Sequence, residues 1–288
     1  MDKINRKRIK NWAIMVIGEE EVERFYSIPF EDTGFGYDIY GCERECMLLV
    51  YTVGLMLYKD YFRVESVGIK NVPTKGRAIF AANRMGPVPY YNLMCFVDMI
   101  TNLAPPRLLR IPMPKYIWDI AFAGLISQRT SPIVDSRRNL ELVLNREGML
   151  LIAPEEKESF FKLLVKRNKL APFNSKIIEL CLSRKTPIIP AAFYSSEEST
   201  PIVGSVRSLI SSLRLDQLPL KLDWPISGLL NSLPLPSKLH ISYAEPIAFY
   251  EEYPVETIEH PNLLQQMADV VGEHVRDLIN SGVAKLDN

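Results

Sequence analysis

Histidine is scarce in this chain: three in 288 residues, His240, His260 and His274. His240 falls in an alternating strand pattern and His260 stands just before Pro261. His274 is expected on the apolar face of a late helix. A lone histidine in such a setting is a packed residue more often than a catalyst. G-x-S-x-G and G-x-x-x-x-G-K-[ST] are both absent, which sets aside the common serine hydrolases and the P-loop nucleotide enzymes. The four cysteines (Cys42, Cys46, Cys95, Cys181) are too few for a disulfide framework, and a reducing compartment is expected. Cys42 and Cys46 are one helical turn apart, but no histidine or second cysteine pair lies nearby, so no metal is expected there. No apolar run approaches the ~20 residues of a membrane span. The longest, Cys46 to Tyr58, suits a core helix or a segment lying in a membrane interface. Glu19-Glu20-Glu21 directly follow the first apolar run, which argues against a signal peptide. Basic and acidic residues cancel at 34 each, so no global field favours nucleic acid. There is no internal repeat.

What is present is a globular composition, 47% apolar and 24% charged. The opening MDKINRKRIK runs into Trp12, Ile14, Met15, Val16 and Ile17. Either it rests on an anionic membrane surface or it is a solvated terminus. Residues 19 to 65 read as mainly helical, interrupted by EDTGFGYDIYG (31–41), a turn. From residue 66, RAIFAAN (77–83), GMLLIAP (148–154) and TPIIPAAFYSS (186–196) are short apolar runs, and KLHISYAEPI (238–247) alternates. These read as strands, the first three covered on both faces. SRRNLELVLNREG predicts a helix stopped at Gly148, and SKIIELCLSRK a helix capped by Ser175. HPNLLQQMADVVGEHVRDLINSG predicts a helix starting at Pro261, with Leu263, Leu264, Met267, Val270, Val271, Val275 and Leu278 on its apolar face. TNLAPPRLLRIPMPKY (101–116) is either an irregular loop packed on the core or an apolar, cationic binding rim. The expected fold is α/β, a mixed, largely parallel sheet flanked by helices. The expected division is an N-terminal helical extension (1–65), the α/β domain (66–250) and a C-terminal helix packed on it (251–288).

Two stretches carry candidate chemistry. In AANRMGPVPYYNLM (81–94) a buried strand stops at Asn83-Arg84, ahead of Gly, Pro and aromatics. In LLIAPEEKESFFKLLVKRNKLAPF another strand stops at Pro154-Glu155, and Lys157, Lys162, Lys166, Arg167, Lys169 and Lys176 follow. A cationic loop at the end of a central strand is where such sheets bind anions, and phosphate is the natural ligand.

Taken in order, GIKNVPTKGRAIFAAN, LLIAPEE, TPIIPAAFYSSEE and LHISYAEPI resemble the signposts of the lysophospholipid acyltransferase family, over about two thirds of the chain. The resemblance implies transfer of an acyl chain from acyl-CoA or acyl carrier protein to a lysophospholipid or glycerol phosphate. It implies no resident cofactor, and it implies a cytoplasmic protein, peripheral at the inner face of an anionic membrane. The family's first motif is Asn-His with an Asp several residues on. In the variant most like this chain it reads His-Ser-Gly, then Pro-x-Asp. Here Asn83, Gly86 and Pro89 fit, but Arg84 stands where the His belongs and Tyr91 where the Asp belongs. Pro154, Glu155, Lys157, Pro187, Pro190 and Pro246 fit the later motifs. Glu156 and Ala244 replace two of the family's glycines.

That His removes the acceptor's proton and that Asp orients it. A guanidinium has no lone pair to offer and stays charged below pH ~12. The expectation is therefore a catalytically degenerate phospholipid- or acyl-binding homologue. Asn83, Glu155, Lys157, Arg167 and Lys169 are its expected substrate-binding residues. Arg84 is expected either to clamp a phosphate or carboxylate or to pair with Glu155. Tyr90 and Tyr91 would line the acyl or head-group entrance. Two alternatives stand beside this one: an active transferase with its base relocated to His240, or a protein–protein module with no lipid ligand.

Overall fold

The computed structural model describes residues 3–84, 90–115, 129–155, 170–195 and 238–286. Among these, seven strands form one sheet: β1 (Glu65–Val67), β2 (Ala78–Ala82), β3 (Leu109–Met113), β4 (Pro132–Val134), β5 (Met149–Ile152), β6 (Ile188–Ser195) and β7 (Leu239–Tyr243). Their order is β1-β7-β6-β2-β5-β3-β4, and every pairing is parallel except β6 with β7. This is the expected mixed, mostly parallel sheet. The centre of the sheet is continuous apolar backbone, because both faces are covered. β2, AIFAA, is buried at all five positions.

One face carries α1 (Lys3–Ile17), α2 (Glu19–Tyr26), α3 (Arg44–Met56) and α4 (Tyr90–Thr101), packed in a single cluster with Phe80, Leu151 and Phe193. The other carries α5 (Arg137–Asn145), α6 (Lys176–Arg184) and α7 (Pro261–Leu286), packed with Ile79, Leu150 and Ala192. Side chains alternate faces along each strand, so consecutive residues of β2 serve opposite cores. The run from Cys46 is a core helix: Met47, Leu48, Tyr51 and Leu55 of α3 are all buried.

The apolar side of α1 is used inside the fold. Ile9, Trp12 and Ala13 are buried in the first cluster, while Lys7, Arg8 and Lys10 face solvent. Residues 31–41 are a turn, as expected: the Asp32 carboxylate accepts from the N–H groups of Gly34 (2.7 Å) and Gly36 (2.9 Å). Among the described residues, no helix is long and apolar enough to cross a membrane.

Several local expectations are corrected. The proline-rich stretch 101–116 contains strand β3, whose Leu109, Arg110 and Ile111 are buried. Pro112 sits near its end, where a missing N–H removes little of the ladder. Helix α5 does end before Gly148, but the left-handed residue there is Glu147 (φ 56°). Gly148 is needed for closeness, since a Cβ on it would press on Val143. The side chain at the start of α6 is Asn174, accepting from Lys176 N–H at 2.9 Å, while Ser175 makes no side-chain cap. His274 and Val270 lie on the exposed side of α7, and His274 Nδ1 meets the Val270 carbonyl at 2.8 Å.

Two buried polar clusters tie the layers together. Asp98, fully buried, is the one charged residue of α4. It accepts four bonds, from Tyr58 (2.7 Å) and Asn102 (2.6 Å) on Oδ1 and from Ser66 (2.8 Å) and Tyr243 (2.6 Å) on Oδ2. It thereby joins α4 to β1 and β7. Arg110 of β3 pairs with Asp38, donates to Cys42 Sγ at 2.7 Å and lies 4.5 Å from the centroid of Tyr40. This fixes the 31–43 connection against the sheet.

Candidate functional site

The carboxyl ends of β2 and β5 lie side by side in the middle of the sheet. Ala81 is in register with Ile152. Carrying that register three residues on sets Arg84 against Glu155. Ligands of parallel α/β sheets bind at this end of the strands.

Asn83 extends β2 by its side chain. Its Nδ2 donates to the Phe193 carbonyl at 2.9 Å and its Oδ1 accepts from Phe193 N–H at 2.8 Å. One amide thus supplies both bonds of a ladder rung and clamps the end of β2 to β6. The structure gives Asn83 the work of holding Arg84 in place, whatever the ligand.

Arg84 is partly buried, and Nη2 donates to the Ala153 carbonyl at 3.3 Å. The expected ion pair with Glu155 does not form: the guanidinium turns to the backbone of β5 instead, and no other hydrogen bond engages it among the described residues. Glu155 is 4% exposed, yet neither carboxylate oxygen has a hydrogen-bond partner. Its backbone bridges to Phe173, and Asn174 N–H donates to the Pro154 carbonyl at 2.8 Å, so the turn carrying it is pinned. Burial pushes the carboxyl up to about 7, because charge is costly away from water. The N–H groups of Arg84 and Ala171 and the Arg84 guanidinium pull the other way. They approach without closing a hydrogen bond.

Tyr91 does not line an entrance. It is buried at the start of α4, with its ring centroid 5.1 Å from that of Phe193. Its place in the first turn of α4 turns it inward onto β6. Tyr90, half-buried, stacks on Phe62 at 5.0 Å. His240 is buried in β7, stacked on Tyr194 at 5.2 Å, with Nδ1 3.5 Å from Glu65 Oε2 and Nε2 unpartnered. Burial lowers its pKa and the Glu65 carboxylate partly offsets that. Gly86, Pro89, Glu156, Lys157, Arg167 and Lys169 lie outside the described residues.

Among the described residues the arrangement therefore offers a cation without a carboxylate partner and a buried carboxyl without a hydrogen-bond donor, at adjacent strand ends. Sequence reasoning found both residues but missed that they are separate. It also missed Asp98, although a lone acid inside YYNLMCFVDMIT is a legible sign of a buried network.

No protein-family model matches the chain. Curated relatives are uncharacterized proteins of Mycobacterium tuberculosis and Mycobacterium bovis, each 26% identical over 223 residues and 77% of this chain. A Mycobacterium leprae protein, also uncharacterized, matches at the same identity. The chain spans 62% of the length of the first two and 60% of the third. Among solved structures, the 1-acyl-sn-glycerophosphate acyltransferase PlsC of Thermotoga maritima overlays with a TM-score of 0.49 at 13% identity, covering 96% of this chain and 99% of its own. A likeness of that degree speaks to neither activity nor substrate.

Proposed function

We propose that this chain is a glycerolipid acyltransferase-like protein that holds a phospholipid, lysophospholipid or acyl thioester at the carboxyl ends of β2 and β5, without the family's His–Asp relay. The observation that carries this reading is Arg84. It is a partly buried guanidinium at the end of a central parallel strand, held by one long bond to a carbonyl and, among the described residues, without a carboxylate partner. Such a group is suited to bidentate capture of a phosphate or carboxylate. The motif order in the sequence supplies the ligand class. Lys157, Arg167 and Lys169 add cationic partners for the head group, and acyl-CoA or acyl carrier protein is the donor class. Acting on such lipids would put the protein at the inner face of a membrane, in peripheral contact with its anionic surface.

A lipid-extraction mass spectrum of the purified protein tests this directly. A co-purified phospholipid or acyl species that disappears in Arg84→Ala is expected. An empty spectrum, with no binding of lysophosphatidic acid added back, would refute it. Failure to float with anionic vesicles as well would favour a protein–protein module. Relocation of the base to His240 is disfavoured by its stacking on Tyr194 and its Glu65 partner. Activity abolished by His240→Ala would reverse that judgement.

A further inference from the structure

We propose that Glu155 is the proton acceptor of this site, taking the hydroxyl proton of a lysophospholipid or glycerol phosphate while that oxygen attacks an acyl thioester. The inference rests on the ligand class proposed above and supplies the chemistry that Arg84 and Tyr91 cannot.

A contrast within the molecule points to it. Asp98 is a buried carboxylate kept for structure, and four donors satisfy it. Glu155 is almost as deeply buried and, among the described residues, has none. Buried polar groups are ordinarily bonded, and an exception calls for an explanation. Glu155 is also held firmly, by the bridge to Phe173 and the Asn174 bond to Pro154. It lies against the backbone N–H of Arg84, the position where the family's base stands. Among the described residues, Arg84 is the one charged side chain acting on it. A carboxyl near 7 is half ionised at neutrality and can both take and return a proton, which is the property a general base needs.

The step balances without a further reagent. The acceptor's O–H bond breaks and its proton passes to the Glu155 carboxylate. The oxygen bonds to the thioester carbonyl carbon, and the tetrahedral intermediate collapses with cleavage of the C–S bond. The departing thiolate takes the proton from Glu155 as thiol, leaving an ester and a regenerated carboxylate. Arg84 anchors the phosphate of the acceptor beside it.

The test uses the full chain with oleoyl-CoA and lysophosphatidic acid, reading free CoA and phosphatidic acid by mass spectrometry. Calorimetry of lysophosphatidic acid binding runs in parallel. Wild-type turnover is expected, with kcat/KM rising tenfold per pH step below about 7 and levelling above it. Glu155→Gln should lower kcat about 10²–10⁴-fold while lysophosphatidic acid still binds, and Glu155→Asp should restore part of the rate. Turnover in Glu155→Gln within a few fold of wild type would overturn the proposal. So would lysophosphatidic acid binding to the wild type with no CoA released, an outcome that leaves the proposed ligand class standing. Absence of both binding and turnover would remove that class and this inference with it. Retained ligand binding and a cooperative melt of Glu155→Gln separate loss of chemistry from loss of fold.

Discussion

Replacing Glu155 by glutamine should gain stability relative to the wild type as the pH rises from 5 to 8. The carboxyl titrates near 4.5 when unfolded and about 7 when folded, because burial disfavours its charge. The folded state therefore holds its proton more tightly than the unfolded state. An acid with a raised pKa costs nothing below the unfolded value, and its cost grows until the pH passes the folded value. At about 1.4 kcal/mol per tenfold change in proton affinity, the cost is about 1 kcal/mol at pH 5 and about 3 kcal/mol at pH 8. Glutamine keeps the shape and carries no charge at either pH. Its own unbonded amide costs about 1–3 kcal/mol, but equally at both. The stability difference between variant and wild type should thus shift by about 2 kcal/mol in the variant's favour from pH 5 to pH 8, about 3–4 °C in Tm for a chain of this size. Denaturant titrations of both proteins at the two pH values measure it. A shift below about 0.5 kcal/mol would mean that Glu155 is solvated or partnered, and the reasoning about its burial would fail.

The other expectations follow from the same accounting of buried charge. Arg84→Met removes the cation that lowers the Glu155 pKa, so carbon-13 NMR of the glutamate carboxyls should show that group titrating higher than in the wild type; an unchanged titration would show that the two do not interact. Asp98→Ala removes the acceptor of the Tyr58, Tyr243 and Ser66 hydroxyls, leaving the Asn102 amide with Tyr58 alone, and should cost about 1–3 kcal/mol for each donor left unsatisfied in denaturant unfolding, against about 1 kcal/mol in all if water fills the gap. Asp38→Ala leaves Arg110 buried without its carboxylate and should cost about 3–5 kcal/mol, whereas the double change with Arg110→Met should recover much of that loss in a double-mutant cycle.

How far the sequence was legible depends on what kind of force sets each feature. β2, β5, β6 and β7 announced themselves as apolar or alternating runs, because burial of the strands themselves selects those residues. β1 and β4 did not, since three residues at a sheet edge need little apolar character. β3 was hidden behind prolines and by Arg110, whose charge is tolerable only because Asp38 arrives from 72 residues away. Tyr91 was misplaced for a similar reason. Its ring lies inward because Phe193 waits on β6, and no local pattern in YYNLM encodes that contact.

The site itself divides along the same line. Position along the chain gave Arg84 and Glu155, since both end apolar runs. The rule that opposite charges at neighbouring strand ends should pair then gave the wrong arrangement. That rule assumes both side chains are free to turn toward each other. Here the Asn83 amide fixes the backbone of β2 against Phe193 just before Arg84, and the bridge to Phe173 fixes Glu155. With both backbones held, the guanidinium reaches the Ala153 carbonyl and the carboxylate is left unbonded among the described residues. A fold selected for stability alone would close that pair or replace Glu155, since an uncompensated buried charge is among the costliest features a core can carry. Its presence three positions past the end of a rigid strand is what makes it a candidate for chemistry.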